Sequence, residues 1–250
     1  MRFLFPALYP LVIGAAEWVT VAVSPIDGII FHVVILCSLI IHSSLSYKEP
    51  RSKLYLSLTL IPIFRITSLS MPLAHFSVTY WYIVISIPML AGAFTAIRLL
   101  DLRLSDVGLR VSKRVVQILT QGLVGIDGIA FAWLAFYLFN PKPFTTELAW
   151  NSIPLPTIIF IVSGFTEELV FRGIIQSIAV KIMGNWGIVY AAVVSSALYI
   201  SYLSWLHWGF ALAIGLLFGW IVRMTRSITG VSLSRGIINL GLYFIIPFIS

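Results

Sequence analysis

The sequence has few charged residues and almost no cysteine. Only 10% of its 250 residues are charged, whereas 60% are hydrophobic and the mean hydropathy is +1.02. This scarcity of charge excludes an ordinary soluble domain. The single Cys37 has no second cysteine with which to form an intrachain disulfide. We therefore expect an all-α protein, a polytopic bundle of transmembrane helices.

Hydrophobic runs of about 20 residues recur along the chain, the length that a helix needs to cross a bilayer. The first begins directly after Arg2 without a convincing cleavage site, so we expect a permanent span and not a signal peptide. We predict about eight or nine spans, of which the eighth is short. Their ranges are 3–23, 28–46, 54–73, 78–99, 115–139, 153–180, 187–206, 208–222 and 228–248.

Basic residues are distributed unevenly between the loops that join these runs. If the N-terminus is cytoplasmic, twelve lie in cytoplasmic loops and only Lys142 lies outside. The twelve are Arg2, Lys48, Arg51, Lys53, Arg98, Arg103, Arg110, Lys113, Arg114, Lys181, Arg223 and Arg226. This asymmetry predicts a multi-pass protein of the cell membrane with a cytoplasmic N-terminus. The net charge of +7 therefore reflects topology; we expect membrane lipids as surroundings and no nucleic-acid partner.

The chain shows no second domain and no sustained repeat. A short charged segment at 101–114, a candidate amphipathic or surface segment, separates N-terminal spans at 1–100 from C-terminal spans at 115–250. In the eighth span, Gly215 and Gly219 are four residues apart, a spacing that lets another helix approach closely. The spacing fits either packing within the chain or dimerisation.

Three ionisable residues lie close together inside the apolar run 153–180: Glu167, Glu168 and Arg172. Each costs about 3 kcal/mol or more at membrane depth, so they must face one another or a polar cavity. Glu168 and Arg172 are four apart with the acid first, the favourable order for an ion pair on one helix face. Glu167 lies about 140° around the helix from Arg172. We predict a structural Glu168–Arg172 pair and a free Glu167.

Three further charges fall within other spans. Glu17 in the first span and Asp127 in the fifth could each pair with Arg65 in the third. Such residues fit either a structural polar network or a pathway for protons or ions. We do not expect the three histidines of the N-terminal half to bind a metal: His32, His42 and His75.

The segment 164–173, GFTEELVFRG, resembles the first motif of the CPBP family of intramembrane proteases. That family includes the CAAX prenyl endopeptidases and proteins once grouped as Abi. The likeness continues through SSALY at 195–199, the glycine-rich eighth span and the stretch that contains Asn239, and it covers about 155–243. Residues 101–110 also resemble a short charged segment found upstream in many members.

The resemblance implies a cavity open to the membrane, in which a glutamate, two histidines and an asparagine bind a metal such as zinc or activate water. The reaction would hydrolyse a peptide bond in a membrane-embedded or lipidated substrate. By position in the motifs, Glu167 corresponds to the catalytic glutamate, and Glu168 and Arg172 to the pair that shapes the motif. Asn239 corresponds to the asparagine.

Both histidines of the family motifs are replaced in this sequence. Leu203 stands at one position and Arg235 at the other. His207 lies one helical turn after Leu203, about 6 Å further along the axis, and could join Glu167 as a metal ligand. It could equally be an aromatic-rich interfacial residue, since tryptophans on both sides of it are typical of the membrane surface.

Arg235 suggests a different role for the motif. Its permanently charged guanidinium cannot bind a metal as histidine does, but it could form a two-pronged salt bridge with Glu167. Glu167 would then be held ionised and would be a poor general base. We therefore regard Arg235 as a candidate inhibitory or structural partner in a catalytically inactive member.

Three functions remain compatible with the sequence. The first is an intramembrane endopeptidase in which Glu167 activates water, with His207, Tyr199, Tyr202 or Asn239 positioning it. The second is an inactive relative that binds a membrane segment or partner protein through the same cavity. The third is a transporter-like protein that uses the buried charges.

Overall fold

The architecture comes from a computed structural model, which describes residues 4–73, 78–110, 115–143 and 153–250. The described residues form helices joined by short turns, and these ranges contain no strand. The predicted all-α fold is confirmed. The helices are α1 Leu4–Ala22, α2 Pro25–Leu45, α3 Pro50–Leu58, α4 Leu60–Leu73, α5 Val78–Leu99, α6 Val115–Phe139, α7 Pro154–Glu168, α8 Gln176–Met183, α9 Trp186–Ala197, α10 Trp205–Thr225 and α11 Thr229–Leu240.

Five helical stretches in the described ranges are long and apolar enough to cross a membrane: Pro25–Leu45, Pro50–Met71, Val115–Phe139, Trp205–Thr225 and Thr229–Phe248. Three shorter apolar helices accompany them: Pro6–Ala22, Val84–Leu99 and Trp186–Tyr202. Their surfaces expose many large hydrophobic side chains, as expected for helices that face lipid. The chain is an integral membrane protein. The cytoplasmic N-terminus and the domain limits stay predictions.

Several predicted spans differ from the helices in detail. The eighth is not short, because α10 begins at Trp205 and is 21 residues long. The seventh ends in a 3₁₀ turn at Leu198–Tyr202. Leu203 then adopts a left-handed backbone with φ of 50°, which breaks the helix before α10.

Helix α11 packs against both α6 and α7, and α9 packs against α8 and α10. Glycines allow the closest of these approaches. A Cβ atom added at Gly164 of α7 would lie 2.5 Å from the backbone nitrogen of Gly236 in α11. The two backbones are therefore in direct contact one residue beyond Arg235. This contact brings Arg235 beside the glutamates at the end of α7.

The described part of the charged segment, 101–110, forms turns and not an amphipathic helix. One residue of this segment, Val107, is buried. Its carbonyl oxygen would lie 3.0 Å from a Cβ atom added at Gly173. Ile228 also donates a backbone hydrogen bond to Gly108. The segment is thus a surface loop fastened to the core, as one of the two predicted alternatives has it.

The predicted polar network of Glu17, Asp127 and Arg65 is confirmed in part. Both carboxylate oxygens of Glu17 in α1 accept hydrogen bonds from Arg65 in α4. The ring of His32 in α2 lies 3.2 Å from the same carboxylate. The prediction for Asp127 is wrong: its side chain is exposed on α6. The reason is topological, since α6 packs mainly against α11, whereas α4 packs against α2 and α5.

Gly215 and Gly219 lie buried on α10 and face side chains of the same chain. A Cβ atom at Gly215 would lie 3.1 Å from Nη2 of Arg172, and one at Gly219 would lie 2.7 Å from Oε1 of Gln176. Gln176 also donates to the carbonyl of Gly219 at 2.8 Å. The glycine pair therefore serves packing within the chain, the first of the two predicted alternatives.

Candidate functional site

The site forms where α7 changes its helical winding. Glu167 and Glu168 are the last residues of α7, and the chain continues without a break into a π-helix at Leu169–Ile175. A π-helix bonds residue i to i+5 and is often found at functional sites. Arg172 lies in the middle of this segment. The wider turn places Arg172 differently from the regular α-helix on which the 140° prediction for Glu167 depended.

Glu168 and Arg172 form the predicted ion pair. Nε of Arg172 lies 3.3 Å from Oε2 of Glu168, and neither side chain is exposed to solvent. The contact lacks hydrogen-bond geometry, however. The three guanidinium nitrogens of Arg172 and Oε2 of Glu168 are buried without a hydrogen-bond partner among the described residues. The pair thus brings unused hydrogen-bonding capacity into the apolar interior, which is costly there.

Arg235 from α11 lies between the two glutamates. Its Nε donates to Oε1 of Glu168 at 3.1 Å and lies 3.6 Å from Oε1 of Glu167. The predicted two-pronged bridge to Glu167 is therefore corrected: the hydrogen bond goes to Glu168, and Glu167 takes part only through a longer ion contact. A fully buried carboxylate needs a hydrogen-bond donor more than a partly exposed one does. The side chain of Glu168 is buried, whereas that of Glu167 is 25% exposed.

Aromatic rings frame the charges. The guanidinium of Arg235 lies 5.4 Å from the ring centroid of Phe218, and that of Arg172 lies 5.8 Å from Phe171. Such cation–π contacts compensate part of the lost hydration of a buried guanidinium. Tyr199 from the 3₁₀ turn lies within electrostatic range of Glu167 and Arg235. Four charges, two of each sign, thus lie together, and the cluster of Glu167, Glu168, Arg172 and Arg235 is called the Glu167–Arg235 pocket below.

His207 occupies an aromatic stack at the start of α10. Its ring stacks on Phe139 at 3.9 Å and on Tyr202 at 4.7 Å, and Tyr202 in turn stacks on Tyr199 at 5.8 Å. Among the described residues, no hydrogen bond, ion pair or ring contact joins His207 to Glu167. His207 is therefore related to the site only through the two tyrosines.

Asn239 and Leu203 complete the positions that the motifs indicate. Asn239 is half-buried on α11, one turn after Arg235; within the described ranges, its side chain makes no hydrogen bond. Leu203 is 60% exposed, on its left-handed backbone. A histidine at position 203 would therefore start from the surface and not from the pocket.

These residues do not fit a zinc ion. In the described part of the chain, no group of three His, Cys, Asp or Glu side chains lies close enough to hold a metal. Catalytic zinc takes three protein ligands, but only Glu167 and Glu168 come together here, with the cation of Arg235 against both. His75 lies outside the described residues.

Sequence reasoning did not identify the residues that shape the pocket around Arg172 and Arg235. Gly215 leaves space for the Arg172 guanidinium, and Gly173 leaves space for Val107. The ring of Phe218 makes the cation–π contact with the guanidinium of Arg235. The glycine spacing on α10 and the glycine after Arg172 were visible signals, but their function depends on which helices adjoin, and a single sequence does not reveal this.

Comparison with known proteins supports the motif-based resemblance. No curated protein and no solved structure matches the chain. A family model described as "Type II CAAX prenyl endopeptidase Rce1-like" matches residues 149–241. This range includes the π-helix, the two glutamates, Arg235 and Asn239. This C-terminal region is thus similar to the Rce1-like type II CAAX prenyl endopeptidases.

Proposed function

We propose that this protein is a non-hydrolytic relative of the CAAX prenyl endopeptidases, which binds a membrane-embedded segment of another protein at the Glu167–Arg235 pocket. The single observation that carries the proposal is the position of Arg235. Its guanidinium lies 3.1 Å from Glu168 and 3.6 Å from Glu167. A cation therefore fills the space beside the glutamates that a metal or an attacking water would need.

Binding is supported by the groups that remain unused. The buried guanidinium of Arg172 has donors without hydrogen-bond partners among the described residues, and Glu167 is partly exposed. Buried polar groups normally have hydrogen-bond partners. A peptide carbonyl or carboxylate from a partner segment would accept hydrogen bonds from these donors.

A second candidate function is hydrolysis without a metal. It is favoured by one observation: the hydrogen bond of Arg235 goes to Glu168 and not to Glu167. Glu167 is thus left without a hydrogen bond to the described residues, and its side chain is 25% exposed. A glutamate in such a position could act as a general base toward a bound water.

One experiment separates the two functions. The whole protein is reconstituted in liposomes with a photocrosslinking amino acid at Ser163, one turn before Glu167 on α7. The probe is a single-span peptide that ends in a farnesylated cysteine, compared with the same peptide without the lipid. Crosslinking and cleavage are both followed by mass spectrometry. We expect crosslinked, intact peptide.

The variant Glu167→Gln provides the control for hydrolysis. Cleavage by the wild type that disappears in Glu167→Gln would establish the endopeptidase and overturn the binding proposal. Absence of both cleavage and crosslinking would overturn binding of these segments at the pocket. Placing the same crosslinker at the exposed Leu104, in the 101–110 loop, reports how much capture is nonspecific.

A further inference from the structure

Asp127 is an ionisable residue on the outer surface of a membrane span. It is the central residue of the 25-residue helix α6, which is apolar enough to cross the bilayer. Its side chain is exposed, and no described residue forms an ion pair or hydrogen bond with it. The exposed residues one turn away on either side, Leu123 and Ala130, are apolar.

This position is unfavourable for an isolated carboxyl group. A charged side chain at the centre of a span costs about 3 kcal/mol by insertion measurements, and such residues almost always face a bundle interior or pair with another polar group. With respect to the described part of the chain, Asp127 does neither. The helix face around it is otherwise suited to lipid, so the carboxyl group is the feature that distinguishes this face.

The described residues of a second copy of this chain do not supply the missing partner. Away from the helix ends, the described arginines are Arg65, Arg172 and Arg235, and each already contacts a carboxylate. The remaining described arginines and lysines lie in loops or in the first or last turns of helices. Since no described residue offers a free cation at this depth, we look to a different protein for the pairing cation.

The surroundings of Asp127 connect it to the pocket. Phe131 follows one turn later on α6, and its ring contacts that of Phe218 with a centroid distance of 6.4 Å. The guanidinium of Arg235 lies 5.4 Å from the centroid of the same Phe218 ring. The exposed carboxyl group is thus on the same edge of α6 that adjoins α10 and the charged site.

We propose that the α6 face around Asp127 docks a single transmembrane helix that carries a lysine or arginine near the middle of the bilayer. Charge complementarity selects this partner, and the apolar neighbours of Asp127 provide the packing surface. This docking does not depend on what the Glu167–Arg235 pocket binds or whether it hydrolyses anything.

The test uses the whole protein in liposomes with a photocrosslinking amino acid at Leu123, one turn from Asp127. The probes are three leucine- and alanine-rich single-span peptides that carry lysine, glutamine or glutamate at the central position. Crosslinking yield against peptide concentration gives an apparent Kd for each. Because interhelical polar contacts in model peptides contribute about 1–2 kcal/mol, we expect the lysine peptide to bind about tenfold more tightly than the glutamine peptide.

The preference for lysine should disappear in Asp127→Asn and persist in Asp101→Asn, which removes an exposed carboxylate outside the spans. Equal affinities for the three peptides, or a lysine preference that survives in Asp127→Asn, would overturn the proposal. Crosslinking to a second copy in place of the lysine peptide would also overturn it. Because the crosslinker sits at Leu123 and not at Ser163, failure here leaves the pocket proposal unaffected.

Discussion

The protein contains two buried charge clusters that differ in how completely they are satisfied. In the N-terminal cluster, Arg65 donates to both oxygens of Glu17, and His32 contacts the same carboxylate. Of the buried nitrogens in this cluster, only Nδ1 of His32 lacks a partner within the described ranges. In the C-terminal cluster, the three guanidinium nitrogens of Arg172 have none among the described residues.

This difference separates a structural ion pair from a candidate site. A cluster that satisfies its own hydrogen bonds stabilises one arrangement of helices and has little left to offer a ligand. A cluster with spare buried donors and a partly exposed carboxylate can gain hydrogen bonds from a group that enters. The transporter-like function would need the two clusters to share one polar path, and no described contact joins them.

The largest expected effect is the loss of the N-terminal pair. Arg65→Leu leaves Glu17 buried without its main partner, and breaking such a pair costs about 3–5 kcal/mol. We expect a value near the upper end, because both oxygens of Glu17 lose a hydrogen bond. Thermal unfolding in detergent measures the change. In the double variant Glu17→Leu/Arg65→Leu, most of the loss should be recovered, and a double variant as unstable as the single one would contradict the pairing.

A second comparison is within the C-terminal cluster. Glu168→Gln removes the carboxylate that both arginines contact and should cost about 3 kcal/mol. Glu167→Gln should cost less than about 1 kcal/mol, because Glu167 is partly exposed and has only the 3.6 Å ion contact. The free energies of unfolding of the two isosteric variants test this order directly. Equal costs would show that Arg235 holds both glutamates alike.

Next in size is the fit of α10 against the site. Gly219→Ala places a Cβ atom 2.7 Å from Oε1 of Gln176 and 2.8 Å from Ile188, and overpacking of this kind costs about 1–3 kcal/mol. The matched control is Gly209→Ala in the same helix, where a Cβ atom meets nothing within 4 Å. The control should be neutral or slightly stabilising. If both variants behave alike in thermal unfolding, α10 packs more loosely than its contacts indicate.

The features that the sequence predicted well depend on local patterns. The lengths of the apolar runs predicted an all-α membrane protein. The i to i+4 spacing of Glu168 and Arg172 predicted their ion pair. The position of Arg235 was harder, because it depends on the glycine contact between α7 and α11 and on the π-helix. Neither has a signal that a single sequence reveals. Asp127 was misassigned for the same reason: its charge predicts a partner but not which helices adjoin.

The smallest expected effect concerns His207, which distinguishes an aromatic packing residue from a ligand. Its ring stacks between Phe139 and Tyr202, and such stacking contributes about 0.5–1.5 kcal/mol. His207→Phe keeps the stack and should leave stability nearly unchanged, whereas His207→Ala should lose about 1 kcal/mol. Crosslinking of the farnesylated peptide from position 163 should be the same in His207→Phe as in the wild type. If His207→Phe abolishes that crosslinking although the variant is as stable as the wild type, the imidazole acts on the site through Tyr202 and Tyr199. The aromatic stack would then be part of the pocket.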